Sequence, residues 1–235
     1  MSSIKLTIFV VGPPRSGKTA LCNYLAELSE SLNSSQYHPT EGVRILEFER
    51  KIVLDSKKTN SKSKETIVSV ELWDCSGDPK FYPCWPAVAN TAHGAVILFS
   101  PDSKQEKEVE TWYNFFSFMK DSQIAVFAHK MMSPSQKGAK MKLAGKLSKL
   151  NVTSTTLDEQ TKAEFDTVIC NAYQAYTENR EREEQKNGRQ QHHAPRVNIG
   201  GLHETGIQEN DPTNSVALDR VYDMVQLQWD FVQKR

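Results

Sequence analysis

Apolar positions along the chain follow two rhythms, one of period two or unbroken, the other helical. Ile4 to Val11 is a β-branched, apolar run, and Leu21, Tyr24, Leu25, Leu28 and Leu32 then recur at helical spacing. A strand, a loop over Gly12–Thr19 and an amphipathic helix are expected in that order. Val43 to Asp55 and Glu65 to Asp74 read as two more strands, joined by the Lys/Ser-rich Ser56 to Lys64 as a solvated hairpin turn. Gly94 to Phe99 and Ile124 to Ala128 are unbroken apolar runs, as strands buried on both faces are. Ser103 with Glu106, and Thr156 with Glu159, have capping-box spacing. The first opens a helix with Val109, Trp112, Tyr113 and Phe116 on one face, read as core rather than as a ligand site. The second opens a long helix through Phe165, Val168, Ile169, Ala172 and Tyr176. Met131 to Lys149 reads as loop with at most a short helix, and Asn151 to Thr155 as a last strand.

Strands that alternate with helices predict an α/β fold: a mixed, mostly parallel six-stranded sheet with helices on both faces. The hairpin adds one antiparallel edge strand. Ligands in such sheets bind at the carboxyl ends of the strands. The domain is expected over residues 1–178. Residues 179–211 read as a charged linker, with Asn187-Gly188 as a helix stop. Residues 212–235 read as an amphipathic helical tail, with Leu218, Val221, Tyr222, Val225, Trp229 and Val232 at near-heptad spacing. The pattern fits equally a tail folded back on the domain and one that meets a partner.

Composition removes several functions. Lys and Arg total 29 and Asp and Glu total 29, so no global charge draws the chain to nucleic acid. The four cysteines, Cys22, Cys75, Cys84 and Cys170, lack C-x-x-C spacing and imply neither disulfides nor a zinc site. Residue 2 is serine and the chain ends Gln233-Lys234-Arg235, so no direct membrane anchor is expected.

The chemistry lies in Gly12-Pro13-Pro14-Arg15-Ser16-Gly17-Lys18-Thr19, which reads G-x-x-x-x-G-K-[ST] between a strand and a helix. Backbone N–H groups at a helix N-terminus capture phosphate. Pro13 and Pro14 have none, so Arg15, Ser16, Gly17, Lys18 and Thr19 must build the cradle. Lys18 is expected on the β- and γ-phosphates and the Thr19 hydroxyl on Mg²⁺. Thr40, in Pro39-Thr40-Glu41-Gly42, is placed to offer a second hydroxyl to Mg²⁺. Asp74 and Gly77, in the D-x-x-G of Asp74-Cys75-Ser76-Gly77, are placed to meet Mg²⁺ and the γ-phosphate.

These residues resemble the Ras-superfamily small GTPases of the Rab-like or Arf-like kind, over roughly residues 4 to 178. Pro39 to Glu49, Glu71 to Asp78, Cys84-Trp85-Pro86-Ala87 and Ala92-His93-Gly94 are similar, more narrowly, to the Rab-like family of the intraflagellar transport B complex. That resemblance implies GTP or GDP with Mg²⁺ as ligand, coiled-coil subunits of that complex as partners, and a place in cytoplasm and cilium or flagellum.

Two departures from the pattern stand out. Asp78 replaces the glutamine that orients the attacking water, and a short carboxylate there implies weak or no intrinsic hydrolysis. The guanine-reading N-K-x-D becomes His129-Lys130-Met131-Met132. Lys130 can lay its stem on a base, but Met132 lacks the bidentate carboxylate, so base selectivity is expected to be weak. A backbone group from Thr153 to Thr155 could supply part of it. Three functions compete: an assembly module, a GTPase cycling with an activator, and a phosphate-loop kinase or ATPase. Val43, Ile45, Phe81, Tyr82 and Trp85 are the expected docking surface.

Overall fold

A computed structural model describes residues 4–28, 37–54, 64–101, 105–129, 143, 145–150 and 152–191. Its strands are β1 (Lys5–Val11), β2 (Val43–Leu54), β3 (Lys64–Cys75), β4 (Gly94–Phe99), β5 (Ile124–His129) and β6 (Val152–Thr155). They form one six-stranded sheet in the order β2-β3-β1-β4-β5-β6. Only β2 runs antiparallel to its neighbour, β3; every other pairing is parallel. The expected fold is thus the one observed.

Alternation along the central strands sorts the core into two layers. Leu6, Ile8 and Val10 of β1 and Val96 and Leu98 of β4 face α1 (Lys18–Leu25) and α4 (Glu159–Gln191), where Leu21, Leu25, Phe165, Ile169 and Ala172 are buried against them. Phe9, Val11, Ile97 and Phe99 face the other way, onto α2 (Trp85–Ala89) and α3 (Glu106–Phe115), where Trp85, Val109, Trp112 and Phe116 are buried. Trp112 and Phe116 are therefore core, as their spacing indicated. Each fully buried large side chain contributes about 1.5–3 kcal/mol before entropy.

Several boundaries differ from the expectation. The first helix stops at Leu25. Glu27 takes φ +56°, its N–H reaches Tyr24 O, and the Leu28 N–H reaches Asn23 O. That left-handed close turns the chain away, so Leu28 is exposed rather than part of the apolar stripe; Leu32 lies outside the described residues. The cap of α4 is Asp158, not Thr156. Asp158 Oδ1 accepts the Thr161 N–H at 3.0 Å, and Thr156 Oγ1 only supports the other oxygen, at 3.0 Å. Leu157, at φ +57°, moves the cap two residues on. Ser103 lies outside the described residues; the residue before α3 is Gln105, whose side chain makes no cap. The expected loop Met131 to Lys149 is described only at 143 and over a 3-10 turn, Gly145–Lys149.

Residue contacts divide the chain into Met1–Glu181 and Arg182–Arg235. In the second unit only the end of α4 is described. That helix runs unbroken through Asn187-Gly188 to Gln191, where a stop was expected. Glu178 with Arg182 and Arg180 with Glu184 have the i, i+4 spacing that supports a solvated helix. The rest of the expected linker and the tail, 212–235, lie outside the described residues. No described helix is long and apolar enough to cross a membrane.

Candidate functional site

The Gly12–Thr19 loop leaves the carboxyl end of β1 in the middle of the sheet. Gly12 has φ +143° and a Cβ there would meet Leu98 O at 1.9 Å, so only glycine lets the loop pass over β4. Arg15 and Gly17 both have positive φ, +59° and +95°. Alternation of this kind turns successive N–H groups inward to make an anion nest. Lys18 folds back across the nest: Nζ donates to Gly12 O at 2.9 Å and Pro13 O at 2.7 Å, and lies 3.5 Å from Ser16 Oγ. Burial lowers its pKa to about 8, with Asp74 partly opposing the shift. A cation held there at this cost is one that an incoming phosphate would satisfy.

The magnesium candidates converge beside it. Thr19 Oγ1 and Thr40 Oγ1 stand 3.0 Å apart. Two cis ligands of an octahedral Mg²⁺ with arms of about 2.1 Å are separated by about 3.0 Å. Asp74 is fully buried at the end of β3, and neither carboxylate oxygen accepts a well-formed hydrogen bond. Burial raises its pKa, with Thr19, Arg44 and Lys18 pulling the other way. Two hydroxyls at the right spacing and an unsatisfied buried carboxylate fit Mg²⁺, a hard ion that binds oxygen. No cluster of three His, Cys, Asp or Glu suited to another metal occurs among the described residues.

Gly77 closes the site from the far side. A methyl group there would meet Gly12 O at 2.5 Å and Pro14 N at 2.6 Å, so its backbone lies directly on the loop. Asp78 is turned away. Its Oδ1 accepts the Lys80 N–H at 3.0 Å and Oδ2 lies 3.5 Å from Lys80 Nζ, which makes it the cap of a 3-10 turn over Pro79–Cys84. At the end of β5, His129 is buried, its Nδ1 lies 3.3 Å from Thr155 Oγ1, and its ring edge packs on Gly17. Lys130, Met131 and Met132 lie outside the described residues. Gly12, Arg15, Ser16, Gly17, Lys18, Thr19, Thr40, Asp74, Gly77 and His129 thus gather around one loop, with Asp78 beside it.

Comparison with known proteins agrees with this geometry. Residues 7–132 match the family model described as Ras of Complex, Roc, domain of DAPkinase. An Intraflagellar transport protein 22 homolog from Bos taurus is 39% identical over 188 residues, 77% of this chain and 97% of the relative. The chain belongs to the intraflagellar transport protein 22 family of small GTPases. Another member of that family, from Danio rerio, is 36% identical over 187 residues, 77% of this chain and 96% of its own. Intraflagellar transport associated protein 2 of Caenorhabditis elegans is 31% identical over 139 residues, 50% of this chain and 54% of its own. Among solved structures, the T. brucei IFT22/74/81 GTP-bound crystal structure superposes with TM-score 0.58 at 28% identity, over 74% of this chain and 97% of that one.

Three residues around the site carried no sequence signal. Gln105 accepts the Ser100 N–H at 2.9 Å and donates to Pro14 O at 3.1 Å, tying the loop to the end of β4. The Arg15 guanidinium lies over the Tyr37 ring, 4.9 Å from its centre. Arg44 reaches Asp74 from β2. Gln105, Tyr37 and Arg44 lie outside the G-x-x-x-x-G-K-[ST] and D-x-x-G motifs, and contacts between segments distant in sequence reveal them. The expected docking surface is thinner than the sequence implied. Trp85 is only 6% exposed and belongs to the core, and Val43 packs against that core. Tyr82 meets Trp112 edge-on at 4.9 Å. Ile45 is exposed and Phe81 half-buried.

Proposed function

We propose that this member of the intraflagellar transport protein 22 family binds Mg²⁺ with GTP or GDP at the Gly12–Thr19 loop and serves as a docking subunit of the intraflagellar transport B complex. Lys18 and the backbone of Arg15 to Thr19 hold the phosphates. Thr19, Thr40 and Asp74 hold Mg²⁺, which when bound offsets phosphate charge. Gly77 offers its N–H to the terminal phosphate, and His129 and Lys130 border the base. The observation that carries this is the Thr19–Thr40 hydroxyl pair, 3.0 Å apart beside a fully buried carboxylate that accepts no well-formed hydrogen bond.

Hydrolysis is slow. Asp78 is engaged with the Lys80 N–H and Nζ, and a carboxylate so held is short of the water that a longer amide would orient. Base selectivity is weak, because Met132 stands where the family pattern has an aspartate. The chain works in the cytoplasm and in the cilium or flagellum, on coiled-coil partners. The T. brucei IFT22/74/81 GTP-bound structure supports the partner reading. Ile45 and Phe81 are the residues of the switch side still available to a partner.

Two measurements test this. Thermal-shift titration with GTP, GDP, ATP and ADP, with and without Mg²⁺, is expected to show Mg²⁺-dependent stabilisation by all four within about tenfold in concentration. No shift with any nucleotide rejects the site. Binding to an intraflagellar transport coiled-coil pair is then compared for the full chain, a chain ending near residue 179, and Phe81→Ala with Tyr82→Ala. Loss only in the double variant, with its fold intact, supports the switch side; loss only on truncation moves the interface to the tail.

A further inference from the structure

The β2–β3 register sets Arg44 directly across from Asp74. Arg44 Nη2 donates to Asn23 Oδ1 on α1 at 2.6 Å and lies 3.3 Å from Asp74 Oδ2. Asn23 is 7% exposed and Asp74 is fully buried, whereas the Arg44 side chain is 39% exposed. The guanidinium therefore enters from the surface, is gripped by α1, and comes to rest against a carboxylate that accepts no well-formed hydrogen bond. Lys18 is the other cation acting on that carboxylate, and it is already held by Gly12 O and Pro13 O.

A buried carboxylate without a counter-charge is strongly destabilising. Arg44 supplies that charge whether or not a metal is present. The same carboxylate is the one acidic member of the Thr19, Thr40 and Asp74 set. A cation fixed next to it repels a second cation and draws on the same negative charge. Arg44 also sits two residues beyond Gly42, whose carbonyl accepts the Ser76 N–H at 2.8 Å, so it anchors the base of the Thr40 segment to α1.

We propose that Arg44 is a built-in counter-ion for Asp74 that competes with Mg²⁺, holding the carboxylate when the ion leaves and weakening the ion's hold when it is present. This rests on the Mg²⁺–nucleotide reading of the site. Arg44 is a positioning residue that acts through Asp74. Its consequence is a magnesium site set to let go, in a molecule whose ion-free form stays folded.

The test uses the full chain and two readouts. Free Mg²⁺ is titrated against retention of a fluorescent GTP analogue, and the nucleotide-free protein is melted in a chelator. Arg44→Met keeps the apolar stem and removes the charge. It is expected to lower the Mg²⁺ midpoint by about tenfold and to lower the melting temperature in chelator. Arg44→Lys, which keeps the charge, is expected to restore most of the midpoint. A purely structural ion pair would lower the melting temperature yet leave the midpoint where it was, and that result overturns the proposal. If Arg44→Met does not fold in chelator, Asp74→Asn is added. Recovery of the fold supports the counter-ion role, and no recovery overturns it. A wild-type chain that retains the analogue equally well with Mg²⁺ and with chelator rejects the magnesium reading itself, a different outcome from an unmoved midpoint.

Discussion

Replacing Lys18 by methionine separates the two demands that the loop makes on that residue. In the ligand-free protein the ammonium is buried, and its pKa lies at about 8 against a usual 10.5. At 1.36 kcal/mol per unit the charged form costs about 3 kcal/mol at neutral pH. Methionine removes that cost and also removes the hydrogen bonds to Gly12 O and Pro13 O, worth about 1.5–3 kcal/mol each for a charged donor. The two bonds together match or exceed that cost, so Lys18→Met without nucleotide is expected to melt at or somewhat below the wild-type temperature. Nucleotide at 100 times its dissociation constant stabilises the wild type by about 2.7 kcal/mol, or about 5–10 °C for a domain of this size; the variant is expected to lose that shift. The pH dependence supplies an internal check. The folded pKa is depressed, so between pH 8 and 10.5 Lys18 is more protonated in the unfolded chain than in the folded one, and its contribution to ligand-free stability rises with pH. The buried Cys22 and Cys75 thiols, pushed well above their usual range, contribute the opposite trend. Lys18→Met removes the alkaline rise. Differential scanning calorimetry at pH 7, 8, 9 and 10 reads both. A variant that keeps the nucleotide shift, or a wild type with no Lys18-dependent rise, refutes the reasoning.

Gly17→Ala places a Cβ 2.5 Å from His129 Cδ2 at φ +95° and is expected to cost about 1–3 kcal/mol in urea unfolding; an unchanged midpoint contradicts the packing of that ring on the loop. Burial holds the pKa of His93 and of His129 below 6.5, and the Thr7 N–H is bonded to His93 Nδ1 at 2.9 Å. Stability present above pH 6.5 is therefore lost as pH falls through their folded values, and His93→Gln is expected to flatten part of that acid loss in thermal melts. Asp78→Gln frees the Lys80 cap and lengthens the side chain, and single-turnover assays are expected to show hydrolysis faster by about tenfold or more; an unchanged rate moves the block elsewhere.

How much was legible depended on whether a feature was local. The G-x-x-x-x-G-K-[ST] loop, Thr40 and the D-x-x-G each sit in a short stretch, and the sheet brings them together because β1 and β3 are neighbours and parallel. The strands were readable from unbroken apolar runs, since β1 and β4 are buried on both faces. Helix ends were less so. Leu28 fits the helical stripe, yet Glu27 turns left-handed before it, a choice made by tertiary packing rather than by spacing. The Asp158 cap and the continuation of α4 past Asn187-Gly188 show competing signals within a turn of each other. Arg44 and Gln105 were invisible because their partners lie 30 and 91 positions away in sequence, for Arg44–Asp74 and Gln105–Pro14. Trp85 looked like an interface anchor; it is buried instead in one apolar cluster with Phe9, Phe99 and Trp112.

The central claim is that Gly12–Thr19, Thr40, Asp74 and Gly77 form one Mg²⁺–nucleotide site. Isothermal titration calorimetry of the full chain with GTP, in Mg²⁺ and in chelator, tests it most directly when run beside Lys18→Ala and Asp74→Ala. One nucleotide per chain is predicted, with affinity falling by about tenfold or more in chelator and in each variant. Heat-silent mixing in Mg²⁺, or binding equally tight in Lys18→Ala, would contradict the claim.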